Sequence, residues 1–198
     1  MKIAITGHSK GIGKACYDIL EKDNEVHGFS RSNGYDITEN FNAIVHAVKN
    51  CDVFINNAWH NYIQIDLLNA IFNKWKDNEN KTIVNISSLS KYPGLSGNQT
   101  GYSATKAALS HQAFLLMFKT DRKCRMINIL GDNYQQIYKS LHKEKHRVHI
   151  YGKKNIKVNS ISPGFIRYEM TDKLNKEYKD SLMSKISLER FGEPTDIA

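Results

Sequence analysis

At 198 residues, with 40% hydrophobic and 24% charged residues, the chain has the size and composition of one globular domain that buries a core of its own. The formal net charge of +8 favours anionic partners, which include nucleic acid but equally a phosphorylated cofactor. Cys16, Cys51 and Cys124 are odd in number, widely spaced and without a CxxC pair; together with no signal-like start and no run of about 18 apolar residues, this argues against a disulfide scaffold or a membrane span and for reduced thiols in the cytoplasm.

Lys2-Ile-Ala-Ile-Thr6 is a short apolar run of the kind that forms a buried parallel strand. Gly7-His-Ser-Lys-Gly11-Ile-Gly13 follows, and then a helical pattern through Ala15, Ile19 and Leu20. Strand, glycine turn and helix in this order suit a phosphate: glycine permits close backbone approach, and the free N–H groups of the helix start face the pyrophosphate. The spacing, Gly-x-x-x-Gly-x-Gly, differs from the Gly-x-Gly-x-x-Gly of the best-known dinucleotide loops.

Glu25–Ser30 is the next strand. An acidic residue at its end would bind a ribose 2'-hydroxyl, whereas a basic one accommodates a 2'-phosphate. Here Ser30 is followed by Arg31, with Lys10 of the glycine loop expected nearby, so NADP(H) is predicted over NAD(H). Only five residues separate Ser30 from Asp36-Ile37, too few for a helical crossover, so any strand at 35–37 is vestigial or irregular. Asp36 and Ile37 are candidates to line the adenine, with Asp36 equally readable as a turn residue.

Thr38 is a candidate N-cap for a helix through Phe41, Ile44, Val45 and Val48. Asp52–Ala58 reads as a buried strand running into a polar turn, and Leu68, Ile71, Phe72 and Trp75 predict a helix from about Tyr62 to Trp75. Lys81–Ser88 is another strand, which delivers hydroxyls to the carboxyl edge of the sheet, where ligands bind in open α/β folds. A loop with Pro93, Gly94 and Gly97 leads to Tyr102-Ser-Ala-Thr-Lys106 and a helix with Leu109, Ala113, Leu116 and Met117 on one face. On a helix Tyr102 and Lys106, at i and i+4, share that helix's surface. A lysine so placed can lower a phenol pKa that is otherwise about 10, which makes the tyrosine usable as a proton donor or acceptor near neutrality.

Taken together these residues resemble the short-chain dehydrogenase/reductase family. Thr6–Gly13 looks like its cofactor-loop signature, with Gly7, Ser9, Lys10, Gly11, Ile12 and Gly13 around the nucleotide, and Asn56-Asn57-Ala58 is similar to its Asn-Asn-Ala-Gly turn, with Trp59 in place of glycine. Ile83–Ser88, Tyr102-x-x-x-Lys106, Asn159-Ser-Ile-Ser-Pro163-Gly164 and Arg190-Phe-Gly-Glu-Pro194 complete the series in order. The resemblance implies a Rossmann-like α/β fold, doubly wound, with a mostly parallel sheet and helices on both faces, and a single dinucleotide-binding catalytic domain over residues 1–198. It implies hydride transfer that interconverts a small carbonyl compound and an alcohol. Tyr102 would be general acid or base, Lys106 would depress its pKa and hold the nicotinamide ribose, Ser88 would bond the substrate oxygen, and Asn61 would be the fourth catalytic residue. Asn57, Ala58, Pro163 and Gly164 would join Arg31, Asp36 and Ile37 in holding the cofactor.

The chain also departs from the family. The interval from Ser88 to Tyr102 is slightly long, which leaves Ser87 and Ser90 as alternatives to Ser88. The connection from Ala58 to Asn61 is short, so a pocket wall is missing or built differently, and Tyr168 stands where a threonine usually meets the carboxamide. Residues 121–152 read as a basic insertion, and two stretches compete for the sixth strand: Arg125–Leu130 and Ile156–Ile161, of which the second is favoured because it leads into Pro163-Gly164. His142, His146 and His149 lie at helical spacing within the insertion, but no Cys or carboxylate is placed to complete a site, so no metal is assigned. Without a recognised nucleic-acid motif, its lysines read as a solvated surface. Glu193–Ala198 looks like the first turn of a further helix, so the family's closing helix and strand are expected to be missing; homo-oligomerisation, to which they usually contribute, stays open, and the sheet edge is exposed unless a partner or the insertion covers it. The rival reading is a cofactor-binding sensor or interaction protein that has lost catalysis.

Overall fold

The computed structural model describes residues 1–75, 78, 80–91, 100–118, 128–130, 157–184, 186 and 188–198. Its centre is β1 (Lys2–Thr6), which pairs in parallel with β2 (Glu25–Phe29) on one side and β3 (Val53–Asn56) on the other. β4 (Thr82–Ile86), β5 (Asn128–Leu130) and β6 (Lys157–Ser162) complete a six-stranded sheet in the order β2-β1-β3-β4-β6-β5, with every pairing parallel. The helices are α1 (Gly11–Leu20), α2 (Phe41–Val48), α3 (Ile63–Trp75), α4 (Thr100–Phe118), α5 (Glu169–Asp172) and α6 (Lys176–Met183).

Successive side chains on a strand point to opposite faces, and both faces of this sheet are covered. Ala4, Phe54 and Ile83 face α2, α3 and α4, where they pack with Ile44, Val48, Leu67, Leu68, Ile71, Trp75 and Leu109. Ile3, Ile5, Ile55 and Ile86 face the other way and pack with Cys16 of α1 and with Ile197 near the chain's end. The chain leaves β1 toward β2 and returns to β3 on the other side of β1, so a crevice opens at the carboxyl ends of these strands.

The expected doubly wound fold is therefore what the chain adopts, with local differences. No strand forms at 35–37: Arg31–Asn33 is a 3-10 turn, and Ile37 is buried in the core beside Phe29 and Ile44. Thr38 is not a helix cap, because Asp36 captures it; Thr38 donates to Asp36 Oδ1 from its N–H at 2.8 Å and its hydroxyl at 2.7 Å, and α2 begins only after Asn40. Both candidates for the sixth strand contribute to the sheet. The one that leads into Pro163-Gly164 takes the inner place beside β4, and β5 lies outside it, on the edge that would otherwise be bare. The turn with Pro93, Gly94 and Gly97, and all of the basic segment but residues 128–130, lie outside the described residues.

The last residues fold back onto the sheet. Gly192 accepts from the Arg167 N–H and donates to the Phe165 carbonyl, while Phe165 and Phe191 stack at 5.9 Å. Pro194–Asp196 forms a 3-10 turn held by the Arg190–Asp196 ion pair at 2.8 Å. Nearer the crevice, Lys91 ends the 3-10 turn Leu89–Lys91 that follows β4 and donates at 3.0 Å to both Ser110 of α4 and Ser162 of β6. It thus pins the loop carrying Ser88 to two elements.

Ile71→Ala removes a fully buried side chain from the helical face of the sheet, and urea unfolding should show a loss of about 2–5 kcal/mol. Burial pushes Lys91 down to about 8 from 10.5. Between those values the unfolded chain holds the proton that the folded chain has released, so stability contributed at Lys91 rises with pH across the window. Unfolding measured from pH 7.5 to 10 should give a steeper gain for the wild type than for Lys91→Met; equal slopes would contradict this account.

Candidate active site and cofactor cradle

The glycine turn after β1 is shaped for close approach. Gly7 has φ +74° and Gly11 φ +54°, in the left-handed region that disfavours side chains. A Cβ on Gly13 would lie 2.1 Å from the Gly7 carbonyl oxygen and 2.6 Å from Asn57 Nδ2, whereas one on Gly11 would meet nothing within 4 Å. The tight side of the turn is thus packed against protein, and the Gly11 side is open. No side chain caps the start of α1, where Lys10 is the cap residue, so the first N–H groups of this ten-residue helix face the open side. These features fit a dinucleotide pyrophosphate.

The neighbouring turn is locked to the same loop. Thr6 Oγ1 accepts from the N–H groups of Asn57 and Ala58 at 3.1 Å each, and Asn57 Nδ2 donates to the carbonyls of Thr6 and Gly7 at 3.0 and 3.3 Å. Ser9 and Ile12 lie on the glycine turn, Ser9 exposed and Ile12 packed against the α1 side of the sheet. Arg31 follows β2 with its side chain 87% exposed and its Nε 3.9 Å from Asp36 Oδ2. Asp36 is held below the ordinary carboxylate range chiefly by the Thr38 N–H and then by the Thr38 hydroxyl, which makes it a turn residue in this structure. Lys10 reaches across to Glu169 of α5 at 3.2 Å, on the surface.

At the other end of the crevice α4 presents Tyr102 and Lys106 two residues and six residues past its start at Thr100. Lys106 is 2% exposed; its Nζ donates to Gln64 Oε1 at 2.8 Å and to the Ile86 carbonyl at 2.7 Å, and lies 5.6 Å from the centre of the Tyr102 ring. Burial pushes Lys106 down to about 7. The Ser88 hydroxyl lies near enough to Tyr102 to pull the phenol pKa down against the effect of burial. Ser90 donates to Ser88 Oγ from both its N–H at 3.2 Å and its hydroxyl at 2.9 Å, which leaves the Ser88 proton free to turn toward Tyr102.

The three serines are therefore distinct. Ser88 meets Tyr102, Ser90 supports Ser88, and Ser87 is buried with its hydroxyl on the Lys106 carbonyl and Ser110, away from the phenol. The expected lowering of the Tyr102 pKa is corrected: it is raised, first by burial and also by the nearby Tyr168 phenol, against the opposing pull of Ser88. The physical reason is that a buried lysine near its own midpoint at neutral pH carries too little charge to offset the desolvation of the phenol.

Asn61 is not brought to this cluster. It sits on the loop before α3 with φ 44°, exposed, with its amide 3.5 Å from His60 Nε2. Gln64, one turn later and 1% exposed, meets Lys106 instead. Nothing in the motif series marks Gln64; the signal available was a polar residue among Leu67, Leu68 and Ile71 on the buried face of an otherwise amphipathic helix. The short connection after Ala58 is walled by Trp59, whose Nε1 donates to Thr105 Oγ1 at 2.9 Å and whose ring meets that of Tyr102 edge-on at 5.0 Å. Tyr168, at the start of α5, is 40% exposed and close enough to Tyr102 to disfavour its ionisation. Pro163 is buried and accepts the Leu89 N–H, while Gly164 is exposed beside Leu89. Among the described residues no group of His, Cys, Asp and Glu could hold a metal ion, and no helix is long and apolar enough to cross a membrane. His142, His146 and His149 lie outside the described residues.

A family model described as Enoyl-(Acyl carrier protein) reductase matches residues 148–198. A second, described as Phosphoribosylaminoimidazole carboxylase C-terminal domain, matches 124–159, most of which lies outside the described residues. The 3-oxoacyl-[acyl-carrier-protein] reductase FabG of Rickettsia felis is 32% identical over 63% of this chain, and the match spans 39% of that protein. The protein of the same name from Rickettsia typhi is 27% identical, covering 98% of this chain and 84% of its own. A solved oxidoreductase of the short chain dehydrogenase/reductase family from Burkholderia thailandensis shares the fold at a TM-score of 0.68 and 18% identity, over 99% of this chain and 82% of that one. The ordered motifs, the parallel sheet and these relatives agree: the chain is similar in sequence and fold to members of the short-chain dehydrogenase/reductase family.

Proposed function

We propose that this protein is an NADP(H)-dependent carbonyl reductase acting as one catalytic unit over residues 1–198, in a cytoplasmic setting. The observation that carries the reading is Tyr102 set beside Ser88 and 5.6 Å from the Nζ of the buried Lys106, at the carboxyl edge that also bears the glycine cradle. When bound, the reduced nicotinamide would supply the hydride. As negative charge grows on the carbonyl oxygen, the Tyr102 hydroxyl gives it a proton and the Ser88 hydroxyl donates a hydrogen bond, both worth more in the transition state than in the ground state. The raised Tyr102 pKa keeps it a phenol at neutral pH, the protonation state that reduction requires. Lys106 would hold the nicotinamide ribose.

Several residues support the choice of cofactor. Gly7, Ser9, Gly11, Ile12 and Gly13 would cradle the pyrophosphate, with Asn57, Ala58, Pro163 and Gly164 along the rest of the cleft. Arg31 is an exposed cation just past the end of β2, suited to a 2'-phosphate; Lys10 of the glycine loop, paired with Glu169, would have to leave that pair to join it, and Asp36 and Ile37 would lie on the adenine side. The substrate is a small carbonyl compound, and the printed name of the Rickettsia relatives makes 3-oxoacyl groups on acyl carrier protein the first to try. A catalytically impaired, cofactor-binding protein is the second reading, favoured by the exposed position of Asn61 away from Lys106. Cofactor binding without turnover of any carbonyl would favour it.

NADPH oxidation measured against a panel of ketones, aldehydes and 3-oxoacyl thioesters should show turnover, and Tyr102→Phe should lower it about 10²–10⁴-fold; full activity in that variant would refute the mechanism. Arg31→Asp should reverse the preference between NADPH and NADH, read as the ratio of their dissociation constants, and an unchanged ratio would sink the cofactor assignment.

A further inference from the structure

Gln64 is a fully buried polar side chain outside every motif of the chain, and all of its carboxamide is engaged. Its Nε2 donates to the Asn56 carbonyl at 2.6 Å and the Ile86 carbonyl at 3.1 Å, and its Oε1 accepts from Lys106 Nζ at 2.8 Å. Two carbonyl acceptors on one side of the amide fix which end is nitrogen, so the oxygen must face the lysine. The backbone is anchored as well: Asn56 Nδ2 donates to the Gln64 carbonyl at 2.7 Å and to Asn85 Oδ1 at 3.0 Å. Gln64 therefore joins the ends of β3 and β4 to the lysine of α4.

The Ile86 carbonyl accepts from Lys106 at 2.7 Å and from Gln64, so the lysine has two neutral oxygen acceptors on this side. Among the described residues no carboxylate pairs with it, and burial alone accounts for its depressed pKa. Among the described residues, the titratable groups that face this corner are Tyr102, whose ring lies 5.6 Å from Nζ, and Tyr168 next to Tyr102. In a site so poor in counter-charge, the removal of one acceptor oxygen falls directly on the ammonium.

We propose that Gln64 is a positioning residue for the carbonyl reduction described above: its Oε1 holds Lys106 Nζ beneath Tyr102 and stabilises the lysine's charged form, a task for which Asn61 lies in the wrong place. This rests on that reading of the site, but its physical core, the coupling of Gln64 to Lys106, can be measured without turnover.

The test uses the full chain with side-chain 15N-labelled lysine, Lys106→Met serving to assign the Lys106 signal. Gln64→Met, of similar shape but with no acceptor, should move the Lys106 titration midpoint down by about one unit, a tenfold change in the ratio of its two forms, and the nearly isosteric Gln64→Glu should move it up by at least as much. The limb of the kcat/KM pH profile that follows Lys106 should move in the same directions. Midpoints that coincide in wild type and both variants overturn the proposal, as does a profile unmoved in variants that turn over substrate. If Gln64→Met fails to fold, Gln64→Glu decides alone. Shifted midpoints in a protein with no carbonyl turnover leave the Gln64–Lys106 coupling standing, overturn its catalytic use, and refute the reductase reading separately.

Discussion

The structure turns on one buried lysine. Removing a lysine head group from water costs several kcal/mol, and it persists inside a protein only where acceptor oxygens replace the lost water. Lys106 finds them at the end of β4, where the Ile86 carbonyl is available, and on the first turn of α3, where Gln64 turns its amide oxygen inward. This requirement brings α3, β4 and α4 together at the carboxyl edge of the sheet. It also fixes what surrounds the proposed catalytic groups, because Tyr102 lies one turn before Lys106 on the same helix face and Ser88 two residues beyond Ile86.

The two halves of the crevice are built by different means. On the glycine-turn side the backbone dominates: left-handed glycines, an uncapped helix start, and the Thr6 and Asn57 bonds that hold the β1 and β3 turns in register. On the Tyr102 side the side chains dominate. Trp59 fills the space left by a short connection and Tyr168 closes in from α5, so Tyr102 is flanked by two aromatic rings, both still partly open to solvent. A phenol placed among such neighbours is harder to ionise.

Most of the fold was legible from the chain. Apolar runs bounded by glycines or polar turns marked β1 to β4 and β6, because strands buried on both faces are nearly continuous in hydrophobicity. The helical faces of α2, α3 and α4 followed from their spacing. The errors lay where a local polar contact competes with periodicity: Asp36 captured Thr38, and the helix began later. Strand order was only partly legible, since nothing local says that β6 lies between β4 and β5.

By itself the sequence determined the parallel α/β architecture, the glycine cradle and the pairing of Tyr102 with Lys106, because each depends on spacing within one element or one turn. Tertiary structure alone decided which polar groups meet across elements. It set Ser88 and not Ser87 against the phenol, left Asn61 at the surface, and brought Gln64 to the lysine, since a buried charge selects its partners by distance in space and sequence spacing carries no record of it.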